Sequence, residues 1–225
     1  MPKASAPVQC PQLCAVTLLG NLVSKPDIRY RANPVLAITE IVLATRSKWL
    51  DKKTNQYKEW TSFHHVKVEG YLVEQTLLQA EKGDVVLIQG HLSHIKPSTV
   101  TTKNHPAIIH ASFIQKFAKS YTKSVNQIHC SGQLASSPQL ITTANNKLMA
   151  QVNITINQQT YAIDKQSWQT TTLERELHVW GKQAQDLAEK AIIGDNIIVA
   201  GKLNYLSTAA KTQFIEGKTI HLLKN

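Results

Sequence analysis

The chain carries the same glycine spacing twice. Eight of its nine glycines form two sets of four, and each member of the first set recurs 111 or 112 residues later. This period is far longer than the ~20–50 residues of solenoid repeats, so it indicates a duplicated domain. We therefore expect two domains of similar fold, residues 1–119 and 120–225. The four glycine pairs are Gly20 and Gly132, Gly70 and Gly181, Gly83 and Gly194, and Gly90 and Gly201.

Within each half the pattern predicts three strands, a helix and two further strands. The helices are predicted over residues 71–82 and 182–193, where apolar residues recur at helical spacing and a glycine follows as C-cap. The polar segment 46–60 predicts a long hairpin tip, and residues 157–173 its counterpart. This order is that of the OB-fold, so we expect an all-β chain of two tandem five-stranded Greek-key barrels with one short helix each. An SH3-like barrel is the alternative.

The charge points to a polyanionic partner. Lys and Arg number 25 against 15 Asp and Glu, which gives a net charge of +10. Both halves are basic, so the charge is not a single tail, and nucleic acid is the commonest polyanion that such a surface binds. A basic chain that is merely soluble is the alternative. The beginning of the sequence has no apolar signal segment, and we expect a cytoplasmic protein.

The sequence contains no arrangement that predicts catalysis or a cofactor. Three cysteines make no disulfide pattern, and Cys10 and Cys14 have no second ligand pair at zinc-finger spacing. We find no Ser-His-Asp order, no phosphate-binding glycine loop and no paired carboxylates with a partner. We therefore expect no enzyme activity, no metal and no cofactor.

The segment 46–63 combines aromatic and cationic side chains. Bases without a partner strand stack on aromatic rings, while Lys and Arg contact the phosphates. This mixture therefore predicts contacts with single-stranded nucleic acid. Packing of Trp49 at a subunit interface and folding of Trp60 back onto the barrel are the alternatives. The segment holds Trp49, Tyr57, Trp60 and Phe63 among Arg46, Lys48, Lys52, Lys53 and Lys58.

These motifs resemble the bacterial single-stranded DNA-binding protein family. The likeness lies in residues 20–22, 26–30, 43–49, 63–66 and 88–92, within a region that spans about residues 13–117. The second half is similar to a diverged copy that lacks the tip motif. The chain is also similar to the duplicated subgroup of the family, whose chains dimerise to give four barrels, and to the tail-less primosomal replication protein N. Its last residues, 219–225, are apolar and basic, so we expect a final strand and no acidic tail.

The resemblance implies roles for individual residues. Trp49 and Phe63 match positions where an aromatic ring stacks on DNA, and His64 matches a histidine that holds the oligomer together. Glu69 stands where the family usually has a stacking Phe, whereas the second half has Trp180 there. Packing of Trp180 beneath the helix is the alternative. The residues expected to contact nucleic acid are Arg29, Arg31, Arg46, Lys48, Trp49, Lys52, Lys53, Tyr57, Lys58, Trp60, Phe63, Lys96, Tyr161, Lys165, Trp168, Trp180 and Tyr205.

The sequence thus predicts a non-enzymatic, sequence-independent binder of single-stranded DNA that acts as a homodimer in replication, recombination, repair or mobile-element transfer. Two alternatives stay open. One is a protein–protein adaptor of a replication-restart or conjugation complex, with replication or recombination proteins as partners. The other is a binder of single-stranded RNA, because stacking surfaces accept either nucleic acid.

Overall fold

The computed structural model describes residues 12–51, 54–94, 107–143, 146–162, 167–206 and 212–224. The chain forms two compact units, which we describe separately. One unit contains residues 15–128 and 202–214, and the other contains the described residues of 1–14, 129–201 and 215–225. Part of the second repeat, the described residues of 202–214, therefore belongs to the compact unit that contains most of the first repeat.

The first repeat contains a closed five-stranded barrel. β1 pairs antiparallel with β3 and β5, β3 pairs with β4, and β5 pairs with β6. A parallel pairing of β4 with β6 closes the ring, and the additional short strand β2 pairs with β3. The elements are β1 (Cys14–Leu22), β2 (Arg29–Arg31), β3 (Leu36–Asp51), β4 (Gln56–Glu69), the short helix α1 (Val73–Leu77), β5 (Val85–His94) and β6 (Ala107–Phe117).

The second repeat follows the same connectivity. β7 pairs with β9, β9 with β10, and β10 pairs in parallel with β12, while β11 lies between β7 and β12. A short strand, β8, again pairs beside the barrel, with β9. The elements are β7 (Val125–Leu134), β8 (Gln139–Thr142), β9 (Leu148–Ala162), β10 (Ser167–Trp180), the helix α2 (Lys182–Lys190), β11 (Asn196–Tyr205) and β12 (Gln213–Leu223). The predicted order of strands and helix is confirmed in both repeats.

Alternating strand residues build the cores. Successive side chains of a strand point to opposite faces, and β-branched residues suit this half-buried position. Ile41 of β3 and Val66 and Val68 of β4 are buried in the first repeat, as are Val152 and Ile154 of β9 in the second. The other residues of the same strands point away from the core, so each strand also supplies a surface face.

Both helices are shorter than the sequence predicts. Residues 71–82 and 182–193 were expected to be helical, but α1 covers Val73–Leu77 and α2 covers Lys182–Lys190. An aspartate after α2 accounts for the early end of that helix. The Asp195 carboxylate accepts the Ile192 backbone N–H at 3.1 Å. A side chain that binds a backbone N–H in this way competes with helix continuation.

The recurring Gly-Asp pair forms the same turn in both repeats. Gly83 and Gly194 have φ angles of +88° and +92°, which side-chain-bearing residues rarely adopt. Gly83 N–H donates to Leu22 O at 2.9 Å, and Gly194 N–H donates to Leu134 O at the same distance. The turn therefore ties the segment after each helix to the first barrel strand, which explains why this part of the repeat is retained.

Two further paired glycines allow close approach of strands. A Cβ atom added at Gly90 would lie 2.2 Å from His110 O, and one added at Gly201 would lie 2.2 Å from Glu216 O. Such distances are far inside van der Waals contact, so only glycine fits. The glycine spacing thus marks where each barrel turns tightly or packs backbone on backbone.

Candidate nucleic-acid interface

Strands β3 and β4 form a long two-stranded arm where the sequence predicts a long hairpin tip. The prediction of a tip over residues 46–60 is wrong, because β3 continues to Asp51 and β4 begins at Gln56. The predicted tip over 157–173 is likewise mostly strand, since β9 reaches Ala162 and β10 begins at Ser167. Successive side chains of a strand point to opposite faces of the sheet, so the aromatic and cationic residues of the arm lie on two different faces.

The arm has an outer face, formed by the side chains that point away from the barrel core. It contains the even-numbered residues of β3 and the odd-numbered residues of β4, because directly opposed residues of antiparallel strands share a face. Ala44 lies opposite Phe63, Arg46 opposite Thr61, Lys48 opposite Glu59 and Leu50 opposite Tyr57. Two aromatic rings and two cations that the sequence singles out therefore share this face.

The outer-face rings are accessible. Phe63 is 47% exposed and Tyr57 is 67% exposed. Lys48 Nζ lies 4.8 Å from the centroid of the Tyr57 ring and 3.6 Å from the Glu59 carboxylate. Arg46 is also exposed. The outer face therefore presents flat apolar rings beside the side chains of Lys48 and Arg46. Rings and cations together can bind the bases and phosphates of a single strand.

The inner face of the arm contains the other two aromatic residues. Trp60 lies opposite Ser47, and Trp49 lies opposite Lys58, whose ammonium forms an ion pair with Asp51. Trp60 is 53% exposed, so it does not fold back onto the barrel, and Trp49 is 46% exposed. The four predicted aromatic residues thus form two separate surfaces rather than one.

A buried polar layer lies at the base of the inner face. His64 is fully buried and its ring nitrogens contact Thr45 Oγ1 at 2.9 Å and the Tyr205 hydroxyl at 3.1 Å. Burial, with a smaller effect of the neighbouring His65, lowers the pKa of His64 to about 4. Tyr205, predicted to contact nucleic acid, is half-buried with its hydroxyl also 3.0 Å from Gln213 Nε2. The assignment of His64 to an interface between chains stays a prediction.

Glu69 belongs to a charged cluster on the outer face of the first repeat. Its carboxylate accepts from His110 Nε2 at 3.0 Å and from Lys67 Nζ at 2.7 Å. The bond with His110 is the main reason that the pKa of Glu69 falls to about 2, although partial burial opposes it. From the sequence, Glu69 stands out only because it occupies a position where the family usually has a Phe. Strand alternation predicts that Lys67 shares its face. The contact with His110 joins two strands that are far apart in the sequence, so no local pattern reveals it.

The predicted arginines of the first repeat lie on β2. Arg29 is opposite Ile38 and Arg31 is opposite Leu36, so both occupy the outer face at the far side of β3. Both are exposed, and Arg29 forms an ion pair with Asp27 at 2.8 Å. They extend the cationic character of this face beyond the arm.

The corresponding face of the second repeat is different. β9 and β10 bring Tyr161 opposite Trp168 and Met149 opposite Trp180. Trp168 is 69% exposed and Trp180 is 38% exposed, so Trp180 lies on a surface face rather than in the core. Between these rings the same face carries Glu174 and Glu176, with Glu174 accepting from Asn153 Nδ2 at 3.1 Å.

Five residues that the sequence analysis names cannot be located on the fold. Lys52, Lys53, Lys96, Lys165 and Cys10 are outside the residues that the structure describes. Within the described ranges, no three His, Cys, Asp or Glu side chains are grouped so that they could hold a metal ion. No described helix has the length and apolar character needed to span a membrane.

The two tandem barrels and their exposed aromatic residues place the chain among the OB-fold proteins. The model of the single-strand binding protein family matches residues 13–115 and 125–220, and the chain belongs to this family. It is similar to a single-stranded DNA-binding protein from Thermus aquaticus, 23% identical over 223 residues, with 88% of this chain and 79% of the relative covered.

Solved structures match the same fold. The crystal structure of the wild-type single-stranded DNA-binding protein from Thermus aquaticus is 22% identical, with a TM-score of 0.78 and coverage of 96% of this chain and 95% of that one. A deletion mutant of that protein is 23% identical, with a TM-score of 0.79 and coverage of 96% of both chains. The predicted tandem OB-fold is therefore confirmed.

Proposed function

We propose that this protein binds single-stranded DNA without sequence preference through the outer face of the β3–β4 arm. The observation that carries the proposal is the alignment of Phe63 and Tyr57 with Arg46 and Lys48 on one accessible face. Stacking on rings is tolerant of base identity, because every base has a flat face, and the cations meet the phosphates. The name of the Thermus aquaticus relative supports the same ligand.

The remaining predicted residues have secondary roles in this proposal. Arg29 and Arg31 extend the path across β2, and Trp49 and Trp60 offer a second stacking surface on the inner face of the arm. Trp168 and Trp180 offer further rings in the second repeat. Lys58 forms an ion pair with Asp51, as Lys48 does with Glu59, so a phosphate that binds either lysine must compete with its carboxylate. Lys52, Lys53, Lys96, Tyr161, Lys165 and Tyr205 remain proposed contacts from the sequence.

We also propose how the chain assembles and where it acts. The protein acts without catalysis, as a cytoplasmic homodimer with four barrels, whose repeats comprise residues 1–119 and 120–225. It serves replication, recombination, repair or mobile-element transfer. The duplicated scaffold supports this reading, because two copies of a two-barrel chain give a closed symmetric assembly of a common kind. Mass measurement in solution tests the dimer, and a monomer would contradict it.

A titration of labelled oligonucleotides tests the proposed ligand. Fluorescent oligo-dT and duplex of equal length are compared at low and moderate salt. We expect oligo-dT to bind more tightly, with log K falling by about 0.7 per neutralised phosphate as log salt rises. The double variant Arg46→Ala/Lys48→Ala should flatten that slope, whereas the exposed Lys218→Ala in the other compact unit should not.

Two outcomes would contradict the proposal. Equal affinity for oligo-dT and duplex would exclude selectivity for single strands. Tighter binding of oligo-rU than of oligo-dT would assign the face to RNA instead. Measuring both competitors against the same labelled oligo-dT separates these outcomes in one experiment.

A further inference from the structure

Two cysteines that are far apart in the sequence face each other in the structure. Ser131 N–H donates to Leu13 O at 2.9 Å, and Leu13 N–H donates to the Ser131 hydroxyl at the same distance. Bonds that run in both directions between the same two residues indicate an antiparallel register. In that register the residue after Leu13 lies opposite the residue before Ser131. These two residues are Cys14 and Cys130.

The two cysteines are placed so that a disulfide can join them. Directly opposed residues of antiparallel strands share a face, and the pair next to a hydrogen-bonded pair has its Cα atoms about 4.5 Å apart. Disulfides span Cα separations of about 4.4–6.8 Å. Burial, and to a lesser degree the nearby Cys14, raises the pKa of Cys130 to about 12, so the two thiols lie close to each other. Both cysteines belong to the same compact unit.

We propose that Cys14 and Cys130 are a redox-sensitive pair, which a small disulfide such as oxidised glutathione converts into an intrachain bond. Both are reduced thiols in the structure. Cys14 is the first residue of β1 and Cys130 lies within β7, so the bond joins the first barrel strand of one repeat to that of the other. Cysteine spacing in the sequence does not reveal this pair, because only strand pairing brings the two residues together.

The unequal burial of the two thiols sets the order of the exchange. Cys14 is half-buried, whereas Cys130 is fully buried, so glutathione disulfide reaches Cys14 first. The Cys14 thiolate attacks one sulfur of glutathione disulfide, forms a mixed disulfide and releases one glutathione thiolate, which takes up a proton. Cys130 then loses its proton, and its sulfur attacks the Cys14 sulfur and expels the second glutathione. Two protein thiols thus lose two electrons and two protons, and one glutathione disulfide becomes two glutathione thiols.

The second step of the exchange should be the slow one. The thiolate is the nucleophile, and Cys130 is mostly protonated at pH 8 because its pKa is about 12. A glutathione adduct on Cys14 should therefore accumulate before the intrachain bond closes. Disulfides in a reducing cytoplasm are usually transient and redox-sensing, so the pair suits a chain that is linked only under oxidising conditions.

The experiment incubates the full chain with oxidised glutathione at pH 8 and follows intact mass and gel mobility without reductant. Cys10 is a third thiol, outside the described residues, so the matched control is Cys10→Ser, which keeps the proposed pair. We expect Cys10→Ser to end two hydrogen atoms lighter, without glutathione, and to migrate faster because residues 15–129 are closed into a loop. Its peptides containing Cys14 and Cys130 should be joined.

Two further variants separate the steps. Cys10→Ser/Cys130→Ala should stop at the glutathione adduct on Cys14, and Cys10→Ser/Cys14→Ser should stay unmodified because its remaining thiol is buried. Circular dichroism checks that each variant is folded, and either one alone decides the order of attack. A Cys10→Ser chain that stays reduced, keeps its adduct or forms covalent dimers would overturn the inference, as would a wild type in which Cys10 replaces either partner. None of these outcomes bears on the binding of single-stranded DNA.

Discussion

The two repeats share one scaffold but present different faces. At corresponding positions of β4 and β10, Phe63 of the first repeat is replaced by Glu174, and Glu69 is replaced by Trp180. The first face carries accessible rings beside Arg46 and Lys48, whereas the second separates its rings by two carboxylates. The positions that turn or pack the backbone are retained, while surface positions have diverged. The duplicated fold is retained in both repeats, whereas the side chains of the outer face are not.

The inner faces differ as well. His64 and Arg175 occupy corresponding buried positions, opposite Leu43 and Ile154 respectively. Arg175 donates to Glu174 O at 2.8 Å, whereas His64 bonds to Thr45 and Tyr205. An arginine stays charged at all ordinary pH values, but a buried imidazole is held neutral. The two repeats should therefore respond differently to acid.

The largest expected effect is on acid stability. The pKa of His64 is about 4 in the folded protein and 6.5 in the reference state, so the unfolded chain binds more protons between these values. Stability is therefore full above pH 6.5 and falls as pH drops toward 4, by about 3 kcal/mol for this one group. Urea unfolding of wild type and His64→Gln from pH 7 to pH 4 checks this. The variant should lose less stability over that range.

His129→Gln is the control for this measurement, because it removes an exposed imidazole of the other compact unit and leaves both the buried His64 and its neighbour His65 in place. It should follow the wild-type pH dependence. Parallel curves for wild type and His64→Gln would mean that the buried imidazole is not what distinguishes the first repeat in acid.

The next effect is the loss of a stacking ring. Phe63→Ala should weaken oligo-dT binding by about 1–3 kcal/mol, the usual cost of one base–aromatic contact. Trp168→Ala should cost less, because carboxylates flank the second-repeat face, and Trp49→Ala should fall between them. Fluorescence titration at one salt concentration gives the ranking. A larger loss for Trp168→Ala than for Phe63→Ala would reverse the assignment of the repeats.

A smaller effect should come from the carboxylates of the second face. Glu174→Gln/Glu176→Gln removes two charges that repel phosphate, and oligo-dT binding should tighten by about fivefold at low salt. Glu189→Gln, exposed on α2, removes one carboxylate from a helix rather than from this strand face and should change little. If it gains as much per charge removed as the double variant does, the effect reports net charge alone and the face of the second repeat has no special role.

The sequence predicted the scaffold well, because its signals are local. Glycine spacing and alternating apolar residues mark turns and core faces, and both survive in each repeat. The arm was mistaken for a tip, since Lys, Asp, Asn and Glu in residues 46–60 have little strand preference and only cross-strand pairing makes this segment extended. The contact of Glu69 with His110 spans 41 residues and depends on the pairing of β4 with β6, which no local pattern encodes.

Mapping where a single strand lies on the protein tests the proposed binding face most directly. Oligo-dT containing photoreactive iodouracil is cross-linked to the wild type, and the modified peptides are identified by mass spectrometry. Cross-links should concentrate on Phe63 and Tyr57 of the first repeat, because their rings stack on the bases. Cross-links that fall mainly on Trp168 and Trp180 would contradict the claim that the first repeat provides the principal binding face.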